Sequence, residues 1–263
     1  MKRNAIARIV IYSILVFVLS GILLFGILAG SFMFDFDSSS GTVVESGSSV
    51  DAADIKRIEI EWASGSISIR PGDTDRIIFT ESAPEDSKYP MIYDLSDSTL
   101  KLSYAKSSIG FGFGNFSMPS KDLVITVPRD WHCEDLEIDG ASLNIAIEDL
   151  SIGEISLDGA SCDLKFTGII DSIDVDGASN DVTLACANRV SRIELDGASC
   201  ELDLWLTEDC GFRLQMDGLS CDFDCNLNYS ESGGYYRYGD EHCRIQIDGV
   251  SCDVSIRTMQ EIS

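Results

Sequence analysis

One short motif recurs six times in this chain: Asp-Gly, a variable residue and Ser, with an alternating apolar run on either side. The variable residue is Ala in the first four copies and then becomes Leu219 and Val250. Successive copies are 19, 18, 20, 21 and 31 residues apart, which predicts one supersecondary unit stacked repeatedly on itself. The six motifs begin at Asp139, Asp158, Asp176, Asp196, Asp217 and Asp248.

Each copy predicts two strands joined by a corner. From Glu154 to Phe166, apolar and polar residues alternate on both sides of the motif, as in strands with one buried face. The alternation of inward-facing side chains is interrupted at Asp158-Gly159. The conformational freedom of Gly and the Asx-turn of Asp both favour a corner there. A hairpin in an antiparallel meander is the alternative, but a meander needs a second regular turn in each period. We therefore predict an all-β fold, a single-stranded parallel β-helix or solenoid with coils of 18–21 residues.

Stacking in sequence order predicts rows of equivalent residues, one per coil, about 4.8 Å apart. Cysteine dominates the inward row, serine an outward row, and an acid follows outward on the next strand. The predicted inward row is Leu143, Cys162, Asn180, Cys200, Cys221 and Cys252. The predicted acidic row is Asp163, Asp181, Glu201, Asp222 and Asp253.

The N-terminal segment predicts a transmembrane helix. Residues 9–34 carry no formal charge, and about 20 apolar residues suffice to cross a bilayer. Three bases precede this span and acids follow it, so residues 1–8 are expected in the cytoplasm and the body of the protein outside it. A cleaved signal peptide is the alternative, although its apolar run is usually about 7–15 residues. The expected location is the cell membrane, with a single pass.

Three further regions follow this anchor. Residues 35–54 are rich in Ser, Gly and Asp and predict a flexible linker. Residues 55–130 contain less regular strands, including a copy of the repeat without Asp-Gly, and are predicted to form the first coils and a cap. The regular repeats occupy residues 131–258, with a Tyr-rich insertion before Asp248.

The strong acidity restricts the possible partners. The formal net charge is −25, which excludes nucleic acid as a partner because phosphate binding needs a basic patch. An acidic surface outside a membrane is expected to attract cations or cationic peptides. Cell-wall components and another envelope protein are further candidate partners.

The nine cysteines allow two interpretations. Those in the inward row are expected to be small buried hydrophobic residues, because parallel ladder side chains sit too far apart for a disulfide. Cys133, Cys186, Cys210 and Cys243 lie in connectors and could pair. No Cys-x-x-Cys motif occurs, so zinc is not expected.

The acidic row is the one candidate metal site. Like charges one coil apart repel each other, and Ca²⁺ with oxygen ligands would relieve that repulsion. The alternative is a row of solvated surface acids. No other cofactor is expected.

Two histidines, His132 and His242, are far apart and are expected to be exposed connector residues. We therefore predict no catalytic residues and no enzymatic activity, with a carbohydrate-active β-helix enzyme as the remaining alternative.

Aromatic residues cluster in two loops, where they predict either a contact surface or a cover for the open end of the solenoid. The clusters are Phe111, Phe113 and Phe116, and Tyr229, Tyr235, Tyr236 and Tyr238.

The strand ending in Ile125-Thr126-Val127-Pro128, followed by Leu136-Glu137-Ile138 and a Gly-containing corner, resembles the bacterial "putative adhesin" domain family. The resemblance covers Ile55 to Ile256, although the corner of that family commonly reads Ser-Gly-Asp. It implies a surface-exposed, membrane-tethered β-solenoid of unknown function, without catalytic residues. Some relatives are similar to proteins that report on envelope stress or bind antimicrobial peptides. The expected function is therefore adhesion or sensing of envelope stress or cationic peptides, with a calcium-stabilised structural stalk as an alternative.

Overall fold

The computed structural model describes residues 42–43, 47–83, 90–104 and 119–259. The chain divides into two units, Met1–Asp37 and Ser38–Ser263, and all described residues lie in the second. The predicted membrane span at residues 9–34 therefore lies outside the described residues. Within the described ranges, no helix has the length and apolar character needed to cross a membrane.

The described residues form fourteen strands and a 3-10 turn at Ala52–Asp54. The strands are β1 (Thr42–Val43), β2 (Ser48–Asp51), β3 (Arg57–Gly72), β4 (Arg76–Ser82), β5 (Ile92–Ser96), β6 (Thr99–Ser103), β7 (Lys121–Pro128), β8 (His132–Cys186), β9 (Arg192–Leu206), β10 (Phe212–Asp217), β11 (Ser220–Cys225), β12 (Ser230–Ser232), β13 (Tyr235–Tyr238) and β14 (Cys243–Thr258).

The predicted parallel coil is confirmed by the pairing register. Strand β8 runs through three Asp-Gly corners as one continuous strand of 55 residues. It pairs with β9 in parallel, and β9 pairs in parallel with β14, so that Gly177, Gly197 and Gly249 are stacked. The antiparallel meander is therefore wrong for the repeats. Antiparallel pairs occur where β4, β5, β12 and β13 cover the two ends.

The order of the last two coils differs from the sequence. Strand β14 pairs with β9 on one side and with β10 and β11 on the other. The last repeat of the chain is therefore inserted between the fourth and fifth, and the fifth forms the end of the stack. The predicted row order Cys200, Cys221, Cys252 is wrong, since Cys252 lies between the other two. The 31-residue spacing before Asp248 is the sequence signal of this reversal, because the chain needs that length to return.

The N-terminal end has the same kind of reversal. Strand β3 pairs in parallel with β8 on one side and with β6 and β7 on the other. The coil that contains β6 and β7 is thus outermost, although it follows β3 in the chain. Strand β3 is the predicted copy of the repeat without Asp-Gly, and its Glu61 and Ser64 are in register with Asp139 and Ser142.

The β structure begins earlier than the sequence predicts. Strand β2 pairs with β4, and its Val50 is 5% exposed. The linker predicted at residues 35–54 is therefore too long at its C-terminal end. A single buried Val among serines gave no alternation long enough to predict a strand.

The corner glycines are needed for close approach and not for an unusual backbone angle. The glycines with positive φ in the described residues are Gly47, Gly65, Gly168, Gly233, Gly234 and Gly239, and none is in an Asp-Gly corner. A Cβ added to Gly177 would lie 2.3 Å from the carbonyl oxygen of Gly159, and one on Gly197 would lie 2.4 Å from that of Gly177. The tight stacking of these backbones leaves no room for a side chain at the corner.

Candidate functional site

A first row of acids runs along the corners of the stack. Asp176, Asp196, Asp248 and Asp217 are in register on successive coils, in that spatial order. At the other end, Asp139 is in register with Glu61. We call this row the corner acids; its members are Glu61, Asp139, Asp158, Asp176, Asp196, Asp248 and Asp217. Parallel stacking of one repeated motif thus places a carboxyl group on each of these neighbouring coils.

A second row lies on the strand that follows each corner. The register places Glu201 between Asp181 and Asp253, and Asp222 beyond Asp253. We call Asp163, Asp181, Glu201, Asp253 and Asp222 the strand acids. These are the five residues predicted from the sequence as a calcium ladder, and the reversed coil order exchanges the last two. Their outward parity is as predicted, since the residues on either side of each interior one are buried.

The corner acids raise one another's pKa values. Partial burial raises the pKa of Asp139 to about 6, with further contributions from the charges of Glu137, Asp158 and Glu61. Burial and the charge of Asp176 raise the pKa of Asp158. Burial raises the pKa of Asp196 most. The charges of Asp176 and Asp248, the residues in register with it on the two flanking coils, raise this pKa further. The fold therefore holds these carboxylates together against their mutual repulsion.

The strand acids show the same effect. The charge of Asp181 is the main cause that raises the pKa of Glu201, followed by burial and by the charges of Asp203 and Asp253. Burial and then the charge of Asp163 raise the pKa of Asp181. Each of these perturbing groups is an acid on the same or a neighbouring coil. A cation bound along the row would lower this repulsion.

The acidic rows offer few protein ligands to any one metal ion. Within the described ranges, no group of three or more His, Cys, Asp or Glu side chains is arranged to hold a metal ion. The strand acids instead form a line, so any one cation would contact pairs on neighbouring coils. Calcium usually takes six to eight oxygen ligands, and water would have to supply most of them here.

Basic residues lie beside the acidic rows and not within them. In the last five motifs, Lys165 is the only Lys or Arg between the corner Asp and the residue two positions after the strand acid. The Nζ of Lys165 lies 3.6 Å from Asp163, and an Arg192 nitrogen lies 3.0 Å from Asp174. Lys101 also lies 2.7 Å from Glu61 at the N-terminal end, so basic residues offset the charges of Glu61 and Asp163 while the rows as a whole stay strongly acidic.

A buried lysine near the N-terminal end was not predicted from the sequence. The Lys121 side chain is fully buried, with its Nζ 2.6 Å from Glu81 and donating to the Tyr104 carbonyl oxygen at 2.8 Å. The ammonium also lies 4.0 Å from the centroid of the Tyr104 ring. Burial lowers the pKa of Lys121, and the bond to Glu81 opposes that effect. Gly65 is in register with Lys121, and its lack of a side chain leaves space for the Lys121 backbone at this corner. The role of this glycine can be inferred only once the register is known.

The cysteines are thiols in two settings. In the inward row, Cys162, Cys200 and Cys252 are buried as predicted, whereas Cys221 is exposed because its coil is the last. The four connector cysteines that sequence analysis left open to pairing are all buried. Burial raises the pKa values of the thiols of Cys133 and Cys186 to about 12. Such thiols are weak nucleophiles at neutral pH.

The two histidines are exposed, as predicted, and lie on different coils. The Nδ1 atom of His132 is 2.9 Å from the Ser151 hydroxyl oxygen. His242 precedes β14 near the opposite end of the stack.

The tyrosine-rich insertion covers part of the C-terminal end. Tyr236 and Tyr229 pack against Phe223, with ring centroids 4.7 and 5.1 Å away, and Tyr238 packs against Phe212 at 5.9 Å. The covering role was one of two predicted from the sequence, and it is confirmed for these three tyrosines. The second cluster, Phe111, Phe113 and Phe116, lies outside the described residues.

Comparison with known proteins places this arrangement in a family. No curated protein matches the sequence. A "putative cell adhesion protein" from Clostridium sporogenes is 10% identical over 83% of this chain and 100% of its own, with a TM-score of 0.44. A "putative adhesin" from Bacteroides fragilis is 12% identical over 83% of this chain and 98% of its own, with a TM-score of 0.46. The Toastrack DUF4097 family model matches twice, at residues 55–185 and 129–257. The predicted resemblance is therefore confirmed, and the chain belongs to the Toastrack DUF4097 family.

Proposed function

We propose that this protein is a non-enzymatic, membrane-anchored surface domain whose acidic rows bind cationic partners outside the cell membrane. The observation that supports this proposal is the pair of continuous rows, the corner acids and the strand acids, on neighbouring coils. Carboxylates held about 4.8 Å apart attract a multivalent cation more strongly than the same number of scattered acids. The adhesin-like family agrees with a role in surface contact.

The energetic reason for binding is repulsion within the rows. The neighbouring acids raise the pKa values of Asp196 and Glu201, so each ionised row is electrostatically strained. A cationic peptide brings a positive charge to each coil and relieves that strain without needing a pocket. Binding of this kind is expected to depend strongly on salt, because the charges are near the surface.

A titration with a short lysine homopeptide tests the proposal. Fluorescence anisotropy of the labelled peptide should report binding at low ionic strength and about tenfold or greater weakening at 0.5 M NaCl. A triple variant, Asp181→Asn, Glu201→Gln and Asp253→Asn, should bind more weakly at low salt. Binding that is insensitive both to salt and to this variant would overturn the proposal.

The membrane anchor has its own test. Residues 9–34 are proposed to span the membrane, with the Toastrack domain outside. The full chain should remain in the membrane fraction after alkaline carbonate extraction, and added protease should remove the C-terminal domain from intact cells. A chain released by carbonate, or a domain protected in intact cells, would contradict this placement.

A calcium-stabilised stalk is the second candidate function. The raised pKa values of Asp181 and Glu201 favour it, since a divalent cation between neighbouring coils would offset their repulsion. A ligand bound only to the folded state raises the melting temperature. Millimolar Ca²⁺ should then raise the Tm more than Na⁺ of equal ionic strength does, and chelator should reverse the rise. Equal effects of both salts would leave general screening as the explanation.

A further inference from the structure

The last coil of the stack has an open edge. Strands β10 and β11 form this coil, and β14 pairs with one side of both. On the other side, β13 pairs only with residues Phe212–Leu214 of β10. Within the part of the chain that the structure describes, Gln215–Asp217 and Ser220–Cys225 have no strand on this outer side. Unpaired N–H and C=O groups along such an edge are a template for another strand.

Apolar side chains are exposed along the same edge. Leu219 of this coil is 91% exposed, at the corner position that is Ala in the first four motifs, and Val250 at the same position of the adjoining coil is 56% exposed. Cys221 is exposed, although Cys252, the residue in register with it, is 2% exposed. Met216 is half-buried, whereas Ile247, its partner on β14, is fully buried. The tyrosine cover over Phe223 therefore leaves Cys221 and part of Met216 exposed on this coil.

The edge residues are acidic and include no Lys or Arg, although Arg257 of β14 pairs with Asp224. Asp217 and Asp222 are both exposed on it. No Lys or Arg occurs between Arg213 and Arg237. Lysine on an edge strand is a common protection against added strands, and this edge does without it.

Charge also decides which kind of strand fits. If a second copy paired antiparallel about Phe223, Asp222 would face Asp224 of that copy, an acid already paired with its own Arg257, so Asp222 would gain no counter-charge there. Stacking of the open edge on the N-terminal end of a second copy is blocked, since the outermost coil there is already covered by β4 and β5. A strand with Lys or Arg on its outward positions meets neither obstacle.

We infer that the edge from Gln215 to Cys225 binds an extended cationic peptide, which adds to the sheet as a further strand. Alternate apolar side chains of the peptide cover Met216 and Cys221, and the intervening basic side chains lie beside Asp217 and Asp222. Main-chain hydrogen bonds supply affinity and the alternating side chains supply specificity. This inference rests on the proposed binding of cationic partners and gives it a site and a conformation.

The test uses a synthetic peptide that alternates Lys and Val, with blocked termini, and two control peptides. The first control carries N-methyl groups on alternate backbone amides, which removes the donors of one strand edge. The second has the same composition with all lysines preceding all valines. We expect the alternating peptide to bind at least about tenfold more tightly than either control, measured by anisotropy at one fixed salt concentration.

Matched charge reversals locate the site. Asp222→Lys lies on the open edge, and Asp163→Lys makes the same change in the same acidic row on an interior coil. We expect Asp222→Lys to weaken binding about tenfold and Asp163→Lys to have a much smaller effect. Hydrogen exchange should also show that the peptide slows exchange at the amides of Ser220–Cys225 and not at those of β9.

The possible outcomes separate this inference from the proposed function. If all three peptides bind equally, or if both variants weaken binding equally without protection of β11, the edge site is overturned and cation binding by the acidic rows stands. If no peptide binds, both are overturned. Tight binding of the alternating peptide alone, with loss in Asp222→Lys and protection of β11, supports both.

Discussion

At the residue scale, the repeated glycine is a packing requirement. The Asp-Gly pair suggests a turn whose backbone angle only glycine adopts, yet no corner glycine has a positive φ in the described residues. What excludes a side chain is the carbonyl oxygen of the glycine on the neighbouring coil. The motif therefore reports contact between coils, and its regular recurrence is a consequence of stacking.

Substitution of one corner glycine tests this explanation. In Gly177→Ala, the new Cβ would meet the Gly159 carbonyl oxygen at 2.3 Å and the Asn180 Oδ1 atom at 2.5 Å. We expect a loss of about 3 kcal/mol in the free energy of unfolding, measured by urea denaturation. Gly233→Ala is the control, because its Cβ has open space and its positive φ costs only about 1 kcal/mol. Equal losses would show that the stack accommodates the added methyl group, so that contact between coils does not exclude a side chain at the corner.

Substitution of the buried Lys121 is expected to destabilise the protein more than substitution of the corner glycine does. Lys121→Met should lower the free energy of unfolding by about 3–5 kcal/mol, because it leaves the carboxylate of Glu81 buried without its partner. Lys56→Met is the matched control, since the Lys56–Glu134 pair is exposed and solvent screening leaves it a small contribution to stability. Thermal melts of both variants compare the two. A loss below about 1 kcal/mol in Lys121→Met would contradict a stabilising role for the buried pair.

At the element scale, the strands and their stacking are predictable while the order of the coils is not. Alternation in residues 154–166 determines the strand and its buried face, and the constant spacing determines the parallel stack. Both are local properties of one repeat. The position of β14 depends on the edge that the returning chain meets first, and only the long spacing before Asp248 hints at it.

The candidate site also has parts that the sequence predicts and parts that depend on the order of the coils. The strand acids follow directly from the repeat, so the sequence predicts this row to within the exchange of Asp222 and Asp253. The open edge could not be predicted, because Cys221 and Cys252 occupy identical positions in the motif and differ only in coil order. Lys121 could not be predicted either, since its burial depends on Glu81 and Tyr104, which are distant in the sequence.

Thiol reactivity tests the reversed order. A maleimide should modify Cys221 rapidly in the folded protein, because this residue is exposed on the last coil. Cys252 should react only on unfolding, since it is buried one coil further in and its thiol pKa is raised to about 12. Mass spectrometry of labelled peptides distinguishes the two, and Cys221→Ser should remove the fast phase. Fast labelling of Cys252 with protection of Cys221 would indicate that the coils follow the sequence order.

At the scale of the whole molecule, the stacked acids predict that stability rises as the pH falls. Raised pKa values mean that the folded protein binds protons more tightly than the unfolded chain does. For Asp139 the gain appears as the pH falls through about 6 and is complete below the usual range of Asp, near 4. The raised pKa values of Asp158, Asp181, Asp196 and Glu201 act in the same direction.

Melting temperatures between pH 8 and pH 5 at low salt measure this effect. We expect the Tm to be higher at pH 5 than at pH 8, and added NaCl to raise the Tm at pH 8 by screening. Asp139→Asn should stabilise the protein by about 1 kcal/mol at pH 8 and by roughly half as much at pH 5, allowing for its partial exposure. A Tm that falls steadily from pH 8 to pH 5 would contradict the raised pKa values.

The reversed coil order also changes how the molecule responds to tension. The last strand of the repeats, β14, has β9 on one side and β10 and β11 on the other. A pull on the C-terminal end therefore loads two ladders of hydrogen bonds together. Had the coils followed the sequence, the final strand would lie at the rim and only one ladder would resist. A domain built this way meets a mechanical load with an interior strand.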